Sequence, residues 1–305
     1  MRIAHFSDLH VLSLAGVPPT RFLNKRFTGY LNLRLKRHHV HKTAYVRAIA
    51  REVKQAKIDH VVVTGDLTNL ALETEFEAVR ELLEDDLGLH PDQVSVVPGN
   101  HDLYTRGAMR GRRFVQYLGA YVASDYDFAT GHDLGVFPYV RARGPLAIIG
   151  LSSAVPRPPF VAAGKLGKPQ LDALSRILEH QELKDKTPVV LLHHPIHAPK
   201  SRMKALLEGL HDARELAKPL AGVEHGLVLH GHLHRRIRQV LATDKGEVLS
   251  VGATSASLHH EESHRMAGFN LYTFDERGRL TGTEAHVLGD DDRFRVEPVP
   301  LGEWM

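Results

Sequence analysis

Five short polar clusters, each placed at the end of an apolar run, constrain this chain more than any other feature. They are Asp8-Leu9-His10, Gly65-Asp66, Gly99-Asn100-His101-Asp102, His193-His194-Pro195 and Gly231-His232-Leu233-His234. The runs that lead into them, at 2–7, 60–64, 93–98, 188–192 and 226–230, read as strands. Several are continuously apolar rather than alternating, as in strands covered on both faces. Strand ends converge on one edge of a sheet, so polar residues far apart in the chain can meet there. Each cluster supplies oxygen or imidazole donors and no thiolate, because the chain contains no cysteine. That excludes a disulfide framework and a sulfur-ligated metal, and leaves harder or borderline ions on His, Asp, Glu or Asn.

Further strands are expected at 146–151, 237–242, 248–251 and 268–274, and helices at 42–57, 73–87 and 170–181. The early strand–helix–strand–helix–strand order implies a largely parallel sheet in the first half. After His230 the strands follow closely, with turn signals at Asp244-Lys245-Gly246 and Asp275-Glu276-Arg277-Gly278, which predicts an antiparallel second half. No repeat or linker divides the chain. We expect one domain over 1–286 and a polar, proline-containing tail over 287–305. The chain of 305 residues is long enough for a full core, and its 43% apolar and 25% charged content is that of a globular protein in water. No run approaches the roughly 20 apolar residues of a membrane span. The first residues enter a strand without signal-peptide anatomy, so the cytoplasm is the expected compartment.

A hydrolytic pair of divalent ions needs about four protein ligands on each ion with one shared. Asp8, His10, Asp66, Asn100, His193, His232 and His234 fill two such sets if one carboxylate bridges. The Asp-x-His and His-x-His spacings put both side chains on one face if the backbone is extended there. The 22 histidines of the chain mean that a histidine alone carries no weight; its spacing does.

The ordered series Asp-x-His, Gly-Asp, Gly-Asn-His-Asp, His and Gly-His-x-His resembles that of the calcineurin-like metallophosphoesterases, and in particular their bacterial cyclic-nucleotide phosphodiesterase-like branch. The resemblance covers roughly residues 1 to 275. It implies an α/β fold, a four-layer α/β/β/α sandwich of two mixed β-sheets flanked by helices. It also implies two divalent metal ions, manganese or iron, with zinc compatible. Carried over by position, one ion would rest on Asp8, His10, Asp66 and His234, and the other on Asp66, Asn100, His193 and His232. A hydroxide between the ions would attack phosphorus in line. His101 matches the family's catalytic histidine and Asp102 the carboxylate that orients it. His193 is preferred to His194 because it ends the apolar run and matches the family's His-x-Pro form.

The segment 11–41 interrupts the pattern, separating the first strand from its helix by about thirty residues, where two to six are usual. From Arg21 to Arg51 there are nine Lys or Arg residues and no Asp or Glu, interleaved at first with Phe22, Leu23, Phe27, Tyr30, Leu31, Leu33 and Leu35. Such an inserted amphipathic basic segment suits packing on the domain, a lid over an anionic substrate, or peripheral contact with anionic lipid at the inner face of a membrane. The expected partner is a small phosphorylated substrate, such as a cyclic nucleotide or another small phosphodiester. Alternatives are a UDP-2,3-diacylglucosamine pyrophosphohydrolase-like enzyme of lipid A synthesis, a DNA nuclease, or a scaffold that binds without catalysis. The nuclease usually brings a capping domain, and none is visible. The scaffold predicts lost ligands, and none is lost.

Overall fold

The computed structural model describes residues 1–22, 26–27, 41–129, 131–197, 199 and 201–302. Most of the expected basic segment 11–41 therefore lies outside the described residues, apart from 11–22, Arg26, Phe27 and His41.

The architecture is two six-stranded mixed sheets packed face to face and flanked by helices. In the first sheet β1 (Arg2–Phe6), β2 (His60–Val63) and β3 (Val94–Val96) lie side by side and parallel. The second contains β4 (Tyr139–Arg143), β5 (Leu146–Gly150), β6 (Thr187–Leu191), β7 (His225–His230), β8 (Ile237–Ala242) and β9 (Glu247–Gly252), in the order β4-β5-β6-β7-β9-β8. The chain then returns to the first sheet as β10 (Gly268–Phe274), β11 (Leu280–Leu288) and β12 (Phe294–Pro298), completing the order β12-β11-β10-β1-β2-β3.

The helices are α1 (Thr43–Gln55), α2 (Glu73–Glu81), α3 (Arg106–Arg110), α4 (Arg113–Leu118), α5 (Lys168–Glu179), α6 (Arg202–Glu208) and α7 (Ala213–Leu220). Alternation along β5 sorts the core into layers. Leu146 and Ile148 join the cluster that includes Phe6 and Val62 of the first sheet. Ala147 and Ile149 join the cluster of Leu174 and Ile177 from α5 with Leu216 and Leu220 from α7. Each fully buried Leu or Ile contributes roughly 1.5–3 kcal/mol.

One expectation is corrected. The second half is not uniformly antiparallel, since β9 pairs parallel to β7 across six residues, although β8–β9 and β10–β11–β12 are antiparallel. Within the tail expected over 287–305, Phe294–Pro298 adds β12 to the sheet edge, with Arg295 opposite Val287 and Phe294 packed on Phe269. Among the described residues no helix is long and apolar enough to cross a membrane.

Parallel strands put their carboxyl ends on the same edge. The chain leaves β1, β2 and β3 into the first three polar clusters, and β6 and β7 into the last two. Facing sheets then bring both edges together.

Behind that edge the loop before α2 is held by Glu75, whose Oε2 accepts from Leu70 N (2.9 Å) and Leu72 N (3.1 Å). Glu75 is fully buried, and burial pushes its carboxyl up to about 8. The folded chain therefore holds this proton while the unfolded chain releases it above its ordinary value of 4.5. The stabilisation is full below that value and is lost as pH rises through the window, by about 1.4 kcal/mol per pH unit. Glu75→Gln keeps an acceptor for both amides and cannot ionise. Its unfolding free energy, measured by urea titration, should gain on the wild type steadily from pH 5 to pH 8; a constant difference would contradict the assignment.

Candidate metal centre

The loops after β1 and β2 continue to pair beyond their strands. Asp8 N donates to Gly65 O (2.9 Å), His10 N to Asp66 O (3.0 Å) and Val11 N to Leu67 O (2.9 Å). The backbone is not extended there, contrary to the simple alternation argument. Asp8, His10, Asp66, His232 and His234 have φ of 53°, 47°, 50°, 70° and 49°. Left-handed backbone at non-glycine residues costs of order 1 kcal/mol or more each and persists only where surrounding contacts impose it. Five such residues at one edge mark a built site.

Glycine makes the close approach possible. A Cβ on Gly99 would collide with the Asp66 amide and carboxylate, and one on Gly231 with Ser7 Oγ and Asp8 Oδ2.

Seven side chains expected as ligands come together in two linked groups. In one, Asp8 Oδ1 lies 3.1 Å from His234 Nε2 and 3.9 Å from His10 Nε2, and the two imidazole nitrogens are 3.1 Å apart. In the other, His193 Nε2 lies 3.2 Å from Asn100 Oδ1, 3.3 Å from His232 Nδ1 and 3.5 Å from Asp66 Oδ2. Asp66 joins them, sharing one donor cluster with Asp8 and His193 and another with His10 and His101.

The hydrogen bonds behind the rings fix which nitrogen faces inward. His193 donates from Nδ1 to Thr64 O (2.7 Å), and His232 from Nε2 to Glu208 O (2.9 Å), because a carbonyl only accepts. His193 Nε2 and His232 Nδ1 are then the ring nitrogens that face each other, 3.3 Å apart, with two oxygens beside them. Such a donor set repels itself unless a positive charge sits among it, so the residues fit divalent ions. The local field draws positive charge to this nitrogen: burial alone would lower His193, but Asp66 and then Asp8 hold it up to about 9, so Nε2 takes a proton that a metal ion would displace.

The neighbouring His194 is satisfied elsewhere. Its Nδ1 meets Ser153 Oγ (2.8 Å) and its Nε2 donates to Ala162 O (2.8 Å).

His101 stands at the same edge. Its Nδ1–H donates to Asn69 O (2.7 Å), its backbone N–H donates to Asp66 Oδ1 (2.8 Å), and Tyr104 stacks on its ring at 5.5 Å. The role expected for Asp102 is corrected. Its carboxylate accepts from Leu67 N (3.2 Å), Thr68 N (2.8 Å), Thr68 Oγ1 (2.9 Å) and Gly99 N (2.9 Å). With its lone pairs so engaged, it ties the Asp66 loop to the Gly99 turn, and Asn69 O orients the His101 ring.

Sequence reasoning missed two residues. Asn69 receives the His101 proton and donates from Nδ2 to His10 O, and its only signal was a polar pair after Gly65-Asp66. His41, the last residue of the insertion, bonds Ser257 Oγ (2.7 Å) and forms a donor cluster with His10 and His234. Nothing in its spacing pointed there. His259, His260 and His264, in the loop before β10, pair with Tyr45 or Glu262 and lie in none of the donor clusters among the described residues. A cleft of about 470 Å³ covers Asp66, Asn100, His101, His232 and His234, and Lys204, Arg235 and Arg265 also line it.

Two mixed sheets presenting Asp, Asn and His from their carboxyl edges define the scaffold of a metallohydrolase with room for two ions. The family follows directly: a model described as calcineurin-like phosphoesterase matches residues 1–236, and the chain belongs to that family of dinuclear, metal-dependent phosphoric ester hydrolases. Solved structures share the fold. A dimetal phosphatase from Danio rerio is 14% identical, with 89% of this chain and 92% of that one covered at a TM-score of 0.53. The purple acid phosphatase PPD1 of yellow lupin, Lupinus luteus, is 12% identical with a TM-score of 0.58, covering 93% of this chain and 53% of that one. The sulfate thiohydrolase SoxB of Thermus thermophilus is 16% identical with a TM-score of 0.51, covering 98% and 56%. No curated protein sequence matches the chain.

Asp102→Asn replaces one acceptor oxygen with an N–H₂ aimed at backbone donors. It should lower the unfolding free energy by about 1–3 kcal/mol and weaken manganese binding measured by calorimetry. Unchanged stability would show that the carboxylate does not hold the two loops.

Proposed function

We propose that the chain hydrolyses phosphodiester bonds of a small substrate, such as a cyclic nucleotide, at a dinuclear centre. In this reading Asp8, His10, Asp66 and His234 hold one divalent ion, and Asp66, Asn100, His193 and His232 hold the other. The observation that carries it is the convergence of the inward-facing ring nitrogens of His193 and His232 with Asn100 Oδ1 and Asp66 Oδ2. A donor set of carboxylate, amide and imidazole suits manganese or iron and also accepts zinc.

When bound, the two ions supply a water of lowered pKa and positive charge at the phosphoryl oxygens. The chain's own residues do the rest. His101, its Nδ1–H held on Asn69 O, lines the cleft and, as the doubly protonated ring, gives its Nε2 proton to the departing oxygen. Lys204, Arg235 and Arg265 line the same cleft and hold the phosphoryl oxygens by charge. The cleft volume of about 470 Å³ suits a ligand of nucleotide size.

The test uses manganese-loaded protein and bis(p-nitrophenyl) phosphate. Asp66→Ala should lose both ions by elemental analysis, because it serves both sets. His101→Ala should keep its metal and lose about 10²–10⁴-fold in kcat. Retention of one ion in the first variant, or loss of metal in the second, would overturn the assigned roles.

A further inference from the structure

Beside the cleft lies a second cavity of about 540 Å³ whose lining includes Arg21, Arg26, Arg106, Arg113, Arg157 and Tyr104. The Tyr104 ring that borders it stacks on the His101 ring that lines the cleft, centroids 5.5 Å apart with an interplanar angle of 14°. We propose that this arginine pocket receives a second phosphoryl group of the substrate, carried a short linker away from the one that reacts. The proposal rests on the reading of His101 and its neighbours as the hydrolytic site.

The charge count points to an anion. Glu73 is the carboxylate that meets this group: Arg21 Nη2 lies 2.6 Å from Glu73 Oε1, and Arg113 Nε lies 2.7 Å from the same oxygen. Arg106 and Arg157 form no ion pair with a carboxylate among the described residues. Arg26 is buried, with Nε on Leu70 O (2.7 Å) and Nη2 on Ala71 O (3.0 Å), and Arg113 Nη1 reaches Ala71 O at 3.1 Å. Burial, then repulsion from Arg113 and Arg21, lowers Arg26 to about 10. Arg157 is oriented from the other side by Ala163 O (3.0 Å) and His211 (3.2 Å). Arg106 is exposed and makes no hydrogen bond or ion pair with another of the described residues.

Carbonyls orient the Arg26, Arg113 and Arg157 forks, and Glu73 meets Arg21 and Arg113. Several planar guanidinium groups around one space match a tetrahedral anion with three charged oxygens, which each fork can grip with paired N–H donors. Tyr104 offers a flat face for the connecting group.

Two probes separate the outcomes with manganese-loaded protein: thymidine 5′-(p-nitrophenyl phosphate), and the same compound carrying a 3′-phosphate. The wild type should show a KM about tenfold lower for the second probe. Arg106→Glu should reduce that preference to within about twofold. Equal KM values in the wild type, or a preference that survives Arg106→Glu in a protein of unchanged melting temperature, would overturn the proposal. Turnover of neither probe would count against the hydrolytic reading instead. Calorimetry with thymidine 3′,5′-bisphosphate and thymidine 5′-monophosphate then decides the pocket: a preference for the bisphosphate that Arg106→Glu removes supports it, and equal affinity rejects it.

Discussion

Asp66 is the residue on which the rest of this site depends. It sits in left-handed backbone shortly after β2, buried at the floor of the cleft, with one oxygen accepting from the His101 amide and the other facing His193. Its position is imposed from several sides. Gly99 packs where no Cβ would fit, and Asp102 locks the Leu67–Thr68 amides to the Gly99 amide. The two ligand groups are linked because one carboxylate borders both. A buried anion of this kind is costly unless cationic groups surround it; His193 and His101, and the ions that the donor set fits, meet that requirement.

Strain and hydrogen bonding at the edge work together. The five left-handed residues would relax to ordinary conformations if the loops were free. They are held by inter-loop amides, by Ser255 Oγ on Asp8 O (2.6 Å) and by the carbonyls that fix the imidazole tautomers. The folding energy of two large sheets is thereby used to set donor atoms a few ångströms apart before any ligand arrives. Such preorganisation is what charge stabilisation in a phosphoryl-transfer site requires. In the proposed reading, substrate choice rests on the flanking Lys204 of α6, Arg106 at the start of α3 and Arg157.

Much of this was legible in the sequence because hydrophobic continuity and strand-end polar clusters are local signals. Strands such as 60–64 and 226–230 and the ligand clusters that follow them read directly. The missed elements lack that signal. Strand β4 carries a fully buried arginine, Arg141, whose guanidinium is satisfied by carbonyls of Pro91, Val94, Ala120 and Ala123, so its pattern reads as surface. Strands β11 and β12 are half-exposed and polar, and pairing with β10 rather than apolar content makes them strands. Asp102 was misread for a related reason. Adjacency in sequence suggested a partner for His101, whereas the turn sends its carboxylate to backbone amides instead. His41 reaches the centre only because Lys42 N bonds Ser257 O (2.8 Å), a tertiary contact that no local pattern encodes.

The central claim is that one edge of this fold holds two ions through a shared carboxylate. Anomalous diffraction from crystals soaked in manganese addresses it most directly. The account predicts two peaks at the carboxyl edge, both bordered by Asp66, one among Asp8, His10 and His234 and the other among Asn100, His193 and His232. A single peak, or two peaks that do not share Asp66, would contradict it.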